Sequence, residues 1–193
     1  GPADSEPAAI PTTAADAVSE LPEVDAVMNV RTGDALAFGK AIFATAIDPS
    51  GRELISLEWK DGSQDVIAEL GSDGAFVDDD YALDHDLAVG STLELTFPNG
   101  TTSTFRVTGI FDPPTGGSPF GRVTISTTAW DERVDSPRNL YTFVSMDGDE
   151  TPANTAALTT ALEAFPNAKA QTRQEFIDNQ ISGLSSVLNI LYV

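Results

Sequence analysis

The spacing of apolar residues along the chain predicts strands and helices that follow one another. Short runs rich in Val, Ile, Phe and Thr indicate strands, and the alternation on both sides of Pro98–Gly100 predicts a β-hairpin. The stretch from Thr151 to Asn167 repeats Ala and Leu at helical spacing and predicts a helix with Pro152 in its first turn. Residues 50–74 carry turn signals and predict irregular structure around one short helix or strand.

The N-terminal part predicts one helix and two strands. A helix is expected from Thr12 to Pro22, with Thr13 and Asp16 at the spacing of a capping box. Two strands follow, and the pair Gly33–Asp34 is the turn predicted to join them.

The C-terminal part predicts a single long helix over residues 173–193. Thr172 is expected to cap it, and its last twelve residues carry no charge. This loss of charge along the helix axis, rather than around it, favours a stalk that leads into a membrane span absent from the sequence. The apolar residues assigned to this stalk and coupling helix are Phe176, Ile177, Ile181, Leu184, Val187, Leu188 and Leu191.

Composition excludes several classes of function. The chain has 10 basic and 30 acidic residues, a net charge of −20, which excludes nucleic acid and anionic lipid as partners because both need Lys and Arg. It has no cysteine, which removes disulfides, thiol catalysis and cysteine-based zinc sites. With one histidine, neither a three-histidine site nor an HExxH site can form.

One acidic cluster resembles a metal site at first sight. Five aspartates and His85 fall within the nine residues from Asp78 to Asp86. The loop pattern of an EF-hand is missing, and consecutive carboxylates on a helix cannot converge on one ion. The favoured interpretation is therefore a helix capped by Asp78 or Asp79, with His85 on the surface. We assign no catalytic, cofactor-binding or metal-binding residue, and we expect no cofactor.

Several segments, in order, resemble a known family. The run from Gly74 to Asp112 is similar to the middle of the extracytoplasmic domain of MacB/FtsX-like ABC transporter permeases. The residues that carry this likeness are Val77, Ala82, Leu87, Val89, Gly90, Ser91, Val107, Gly109 and Ile110. The passage Glu20–Val27 resembles the family's first helix-to-strand connection, and the C-terminal run resembles the approach to its second transmembrane helix.

The resemblance implies an α+β fold in which helices cover a mixed sheet and a β-rich lobe is inserted. Residues 12–48 and 138–172 would form the first lobe, called porter-like, and residues 49–137 the inserted, sabre-like lobe. Residues 1–11 are expected to be a flexible lead-in or the remnant of a cleaved tag, and residues 173–193 the stalk helix. No Walker motif occurs, so the ATPase would belong to a separate chain or domain.

The function implied is that of a non-enzymatic domain outside the cytoplasmic membrane. It would couple ATP hydrolysis in the cytoplasm to movement, or to the handling of a partner or substrate, outside the membrane. An ATP-binding subunit, a second copy of the permease and an extracytoplasmic protein are the expected partners. Two alternatives stay open: a secreted or surface hydrolase that uses acidic residues, and a stand-alone binding module.

Overall fold

The protein is described here from a computed structural model. The structure describes residues 10–115, 118, 120–148, 151–178 and 189–192. These residues form one large mixed sheet with helices on it, which confirms the predicted fold class.

Eleven strands and six α-helices follow one another within the described residues. The strands are β1 (Ile10–Pro11), β2 (Val24–Ala37), β3 (Lys40–Ile47), β4 (Glu58–Asp61), β5 (Gly74–Asp78), β6 (Thr92–Thr96), β7 (Thr102–Asp112), β8 (Val123–Ser126), β9 (Arg138–Met146), β10 (Lys169–Thr172) and β11 (Asn189–Tyr192). The α-helices are α1 (Thr12–Ser19), α2 (Asp65–Ala68), α3 (Asp79–Asp84), α4 (Thr127–Asp131), α5 (Pro152–Ala161) and α6 (Arg173–Asp178). A 3-10 helix spans Pro49–Leu54.

The strands are hydrogen-bonded in the order β10-β11-β9-β2-β3-β8-β5-β7-β4. The pairs β3–β8 and β5–β7 are parallel, and the other pairs are antiparallel. Strand β6 pairs with β7 along its length and with β2 at Leu36–Thr96. That last pair closes six strands, β2-β3-β8-β5-β7-β6, into a ring.

The first hydrophobic cluster fills this ring, because all six strands contribute to it. Ala35, Ala37, Ala44 and Ala46 come from β2 and β3, while larger residues come from the other four strands. The small side chains leave room for Trp130 of α4, which is 1% exposed. Since β2 and β3 belong to the first predicted lobe and the other strands to the second, both lobes share this core. The division of the chain into two lobes stays a prediction.

Two further clusters lie outside the ring. One packs the middle of β2 against the 3-10 helix, α2 and the aromatic residues Phe76, Phe111, Phe120 and Phe143. The other packs α1 and α5 on β9 through residues that include Val18, Leu158 and Leu162. Both helices therefore cover the outer part of the sheet. The burial of Leu158 and Leu162 confirms the apolar face predicted for α5 at these two positions.

The first hairpin turns later than its sequence predicts. Strand β2 runs through Gly33–Asp34, and the turn falls at Phe38–Gly39. Gly33 serves packing instead: a Cβ there would lie 3.0 Å from the indole of Trp130. A contact that close is more than a side chain tolerates without a shift in the neighbour. The predicted turn was wrong because a glycine in a strand can mark a close approach as well as a turn.

Two other local predictions were only partly correct. Helix α1 forms where expected, but Pro11 precedes its first residue and no side chain caps it, so the predicted capping box is absent. Residues 50–74, predicted to be irregular, hold most of the 3-10 helix, strand β4, helix α2 and the start of β5.

The prediction of one helix over residues 173–193 is wrong at the C-terminal end. Helix α6 begins at Arg173, and the backbone N–H of Glu175 donates a hydrogen bond to Thr172 Oγ1 at 3.2 Å, which confirms the predicted cap. Residues 189–192 form β11, which pairs with both β9 and β10. A short apolar run fits a helix or a strand equally well, and here the free edge of β9 decides for the strand. In the described part of the chain, no helix is long and apolar enough to cross a membrane.

Candidate functional site

Both ends of the described chain pair with the same strand, β9. Ile10 of β1 lies opposite Asn139, and Leu191 of β11 lies opposite Thr142. The two positions are three residues apart along β9, which corresponds to about 10 Å at the rise of an extended strand. Both end strands run antiparallel to β9, so β11 runs towards the start of β1.

A partly buried polar network ties β9 and β2 to helix α4. Arg31 Nε donates to Asp131 Oδ1 at 2.6 Å, and its Nη2 donates to Asp131 Oδ2 at 2.8 Å. This two-point contact fixes the guanidinium plane against the carboxylate. Arg31 Nη1 donates to Asn139 Oδ1 at 2.7 Å, so the same side chain joins β2, α4 and β9.

The network continues through the amide of Asn29 to the end of β3. Asn139 Nδ2 donates to Asn29 Oδ1 at 3.0 Å, and Asn29 Nδ2 donates to Asp48 Oδ2 at 2.9 Å. Thr127 Oγ1 donates to Asp48 Oδ1 at 2.6 Å, which brings the chain of bonds back to the first residue of α4. Helix α4 is therefore held at both its ends. Sequence reasoning did not find this network, because its members are spread from residue 29 to residue 139.

The acidic cluster forms a capped helix, as the sequence predicted. Asp78 is 6% exposed, and its Oδ1 accepts a hydrogen bond from the backbone N–H of Tyr81 at 2.6 Å. Arg122 Nη1 donates to Asp78 Oδ2 at 3.0 Å, and this hydrogen bond with its charge raises the pKa of Arg122. Burial, followed by the charge of Asp78, raises the pKa of Tyr81. Asp78 therefore stabilises the start of α3 rather than holding an ion.

His85 belongs to an aromatic stack at the tip of the first hairpin. Its ring lies parallel to that of Phe38, with 4.4 Å between the ring centroids and 8° between the planes. The ring of Tyr81 lies on it at 4.5 Å. Among the described residues, no group of three or more His, Asp or Glu side chains could hold a metal ion. Asp84 and Asp86, on either side of His85, are exposed.

The predicted stalk residues fall in three places. Phe176 and Ile177 lie in α6, and Leu191 lies in β11. Ile181, Leu184, Val187 and Leu188 lie outside the described residues.

The residues of the family resemblance occupy the ring and the loop beside it. Ala82 and Val107 are buried in the core of the ring, and Leu87 packs on it. The backbone N–H of Gly90 donates to Val107 O at 2.8 Å and holds the turn before β6. Val89, by contrast, is 42% exposed. Most of these residues therefore serve the fold.

Comparison with known proteins agrees with the fold. The sequence model of a family described as the MacB-like periplasmic core domain matches residues 1–162. The chain therefore belongs to this family and is an extracytoplasmic domain of a MacB-like ABC transporter permease. A search of curated proteins finds no match.

Solved structures share the fold at low sequence identity. The periplasmic region of MacB from Actinobacillus actinomycetemcomitans matches with a TM-score of 0.54 and 14% identity, over 82% of this chain and 75% of that one. The extracellular domain of the noncanonic ABC-type transporter YknZ from Gram-positive bacteria matches with a TM-score of 0.52 and 11% identity. That match covers 79% of each chain. At these identities the likeness concerns the fold alone.

Proposed function

We propose that this domain couples ATP hydrolysis in the cytoplasm to movement outside the membrane, as part of a permease that works as a homodimer. The observation that carries the proposal is the meeting of both chain ends on β9. A domain inserted between two neighbouring membrane helices needs its entry and exit close together. A relative displacement of those helices would then reach the sheet through one strand.

The polar network supports the second requirement of such a coupling, which is stiffness. A displacement travels through a domain only if its elements keep their mutual arrangement. Arg31 joins β9 to β2 and to α4, and Asp48 joins the other end of α4 to β2. We propose that β9 passes movement to α4 and from there to the ring.

The two-lobe division and the coupling role of the C-terminal residues belong to this proposal. Residues 12–48 and 138–172 would form the lobe whose strand β9 pairs with the end strands, and residues 49–137 would form the parts that meet a partner. Phe176, Ile177 and Leu191 would act from α6 and β11, and the described part of the chain has no long stalk helix to carry this role. The ATP-binding subunit would act through the membrane part of the permease.

The test uses the complete transporter with a single spin label in this domain. This chain has no cysteine, and Thr104 is an exposed residue of β7. Thr104→Cys therefore gives one label per copy in a transporter otherwise freed of cysteine. We expect the distance between the labels of the two copies to change between the nucleotide-free and the ATP-trapped state. The readout is the distance distribution from pulsed electron paramagnetic resonance.

A double-labelled copy provides the control. Thr104→Cys combined with Glu163→Cys places one label in each predicted lobe, and both positions are exposed. Within one copy we expect the same distance in all nucleotide states, because the network keeps the domain stiff. Identical distances between copies in every nucleotide state would contradict the coupling. The absence of any distance between copies would contradict the homodimer.

A further inference from the structure

The tip of the first hairpin exposes an aromatic side chain beside α3. Phe38 is 50% exposed, and His85 stacks on one face of its ring. We call Phe38 and His85 the hairpin-tip surface. Apolar groups of this size stay in water only at a cost, which marks the surface as a candidate for contact with another molecule.

The backbone at Phe38 strengthens this interpretation. Phe38 has φ 51° and Gly39 has φ 75°, so both central residues of the two-residue turn lie in the left-handed region. Such a turn favours Asn or Asp followed by Gly, and a bulky aromatic residue there is strained. Strain of this kind concentrates at functional sites. The chain thus holds an aromatic ring in solvent where a small polar residue would suit the fold better.

The charges around the hairpin-tip surface are acidic. Asp80, Asp84 and Asp86 form no ion pair within the part of the chain that the structure describes. Asp79 faces Lys60 at 3.7 Å, Arg122 pairs with Asp78 at 3.0 Å and lies near Asp80 and Asp84, and Lys40 adds one cation beyond the turn. The surface therefore joins an open aromatic face to an excess of carboxylates.

We propose that the hairpin-tip surface binds an arginine-bearing segment of an extracytoplasmic protein partner. A guanidinium stacks on an aromatic face and pairs with carboxylates at the same time, whereas an ammonium does not stack in this way. A second copy of this chain would bring acid to acid, and an anionic lipid surface would be repelled. The inference rests on the proposed function only in placing a partner outside the membrane, and it does not need coupling to ATP.

The experiment titrates the isotope-labelled chain with a short synthetic peptide of Arg, Leu and Ser. We expect amide shifts in the nuclear magnetic resonance spectrum to centre on Phe38 and His85, and the affinity to fall as salt is raised. Phe38→Asn should weaken binding about tenfold or more, since an aromatic residue at the centre of a contact carries much of its energy. Lys in place of Arg in the peptide should weaken binding as well.

Matched controls separate the surface from general attraction between opposite charges. Leu36→Ser removes another exposed apolar residue. Leu36 is 49% exposed and lies on the hairpin face opposite Ala35 and Ala37. The affinity of this variant for the peptide should equal that of the parent. Phe38→Asn suits the turn, so its thermal unfolding should show a fold at least as stable as the parent. Equal affinity of the parent and Phe38→Asn would overturn the proposal, as would equal binding of a peptide with Ser in place of Leu.

Two other outcomes would also overturn it. Self-association of the chain in sedimentation, abolished by Phe38→Asn, would make a second copy the occupant. Binding to vesicles of anionic lipid, abolished by the same variant, would make a membrane the occupant of the surface. Because the titration uses no nucleotide, its failure leaves the label distances in the complete transporter unaffected, and the two proposals can fail separately.

Discussion

The polar network around Arg31 and the hairpin-tip surface differ in burial and in the pairing of their side chains. In the network, the guanidinium of Arg31 is nearly buried and all three of its nitrogens donate hydrogen bonds. At the tip, Phe38 is half exposed in a strained turn, and the buried hydroxyl of Tyr81 has no hydrogen-bond partner within the described chain.

The difference indicates which part of the domain is built for stability. A network with buried Arg31 and Asn139 and every member paired favours one arrangement, because others leave the buried guanidinium or amide unsatisfied. An exposed ring in a strained turn contributes little to folding and is kept against the local preference of the backbone. The network therefore suits the transmission of movement, and the tip suits contact with a partner.

The largest expected effect is the loss of the network. Arg31→Met should lower the free energy of unfolding by about 2–3 kcal/mol, because buried Asn139 and the 40% exposed carboxylate of Asp131 both lose their charged partner. Urea denaturation followed by Trp fluorescence measures the change. The matched control is Arg52→Met, since Arg52 also pairs with an aspartate, Asp65, at 2.9 Å but is 42% exposed. That variant should change stability by less than about 0.5 kcal/mol. Similar losses in both variants would remove the distinction.

A smaller effect is expected at the start of α3, which supports the hairpin tip. Asp78→Ala removes the cap of the helix and the partner of Arg122, and should cost about 1–2 kcal/mol. Asp80→Ala, on the exposed side of the same first turn, should cost only about 0.3 kcal/mol. Thermal unfolding of both variants measures the difference. An equal loss in the two would show that charge near the helix start matters, and that the cap does not.

The smallest effect is expected for the unpaired hydroxyl of Tyr81. At neutral pH, Tyr81→Phe should change the free energy of unfolding by less than about 1 kcal/mol, because no hydrogen bond is lost. Burial raises the pKa of Tyr81 above the ordinary tyrosine value of about 10, so the folded chain keeps the proton where the unfolded chain releases it. Stability should therefore be complete below about pH 10 and fall above it.

The variant should lose less stability than the parent over this alkaline range. Urea denaturation of the variant and the parent at neutral pH and at about pH 10.5 compares their free energies of unfolding. Tyr141, whose pKa burial also raises, is retained in both chains and contributes equally. A large loss at neutral pH would show that the hydroxyl of Tyr81 has a partner after all, and would weaken the contrast between tip and network.

Local patterns predicted most of the elements but not their ends. The hairpin of β6 and β7, the helices α3 and α5, and the cap at Thr172 follow from alternation, helical spacing and cap residues, all of which act over a few positions. The turn at Phe38–Gly39 did not follow, because its first residue contradicts the preference of the turn. Such a conflict between local preference and structure is expected at a functional position.

The sequence by itself determined the class of this protein. The ordered segments at Glu20–Val27 and from Gly74 to Asp112, together with the uncharged C-terminal run, led to the family that the comparisons show. These features are local or additive, so they can be found without coordinates.

Only the tertiary structure decided how the distant parts meet. The bond from Arg31 to Asp131 spans 100 positions, and the stack of Phe38 on His85 joins a turn to the end of a helix. The last apolar run became β11 because β9 offered a free edge. In each case the partner lies far along the chain, and a local pattern holds no information about which residue will stand opposite.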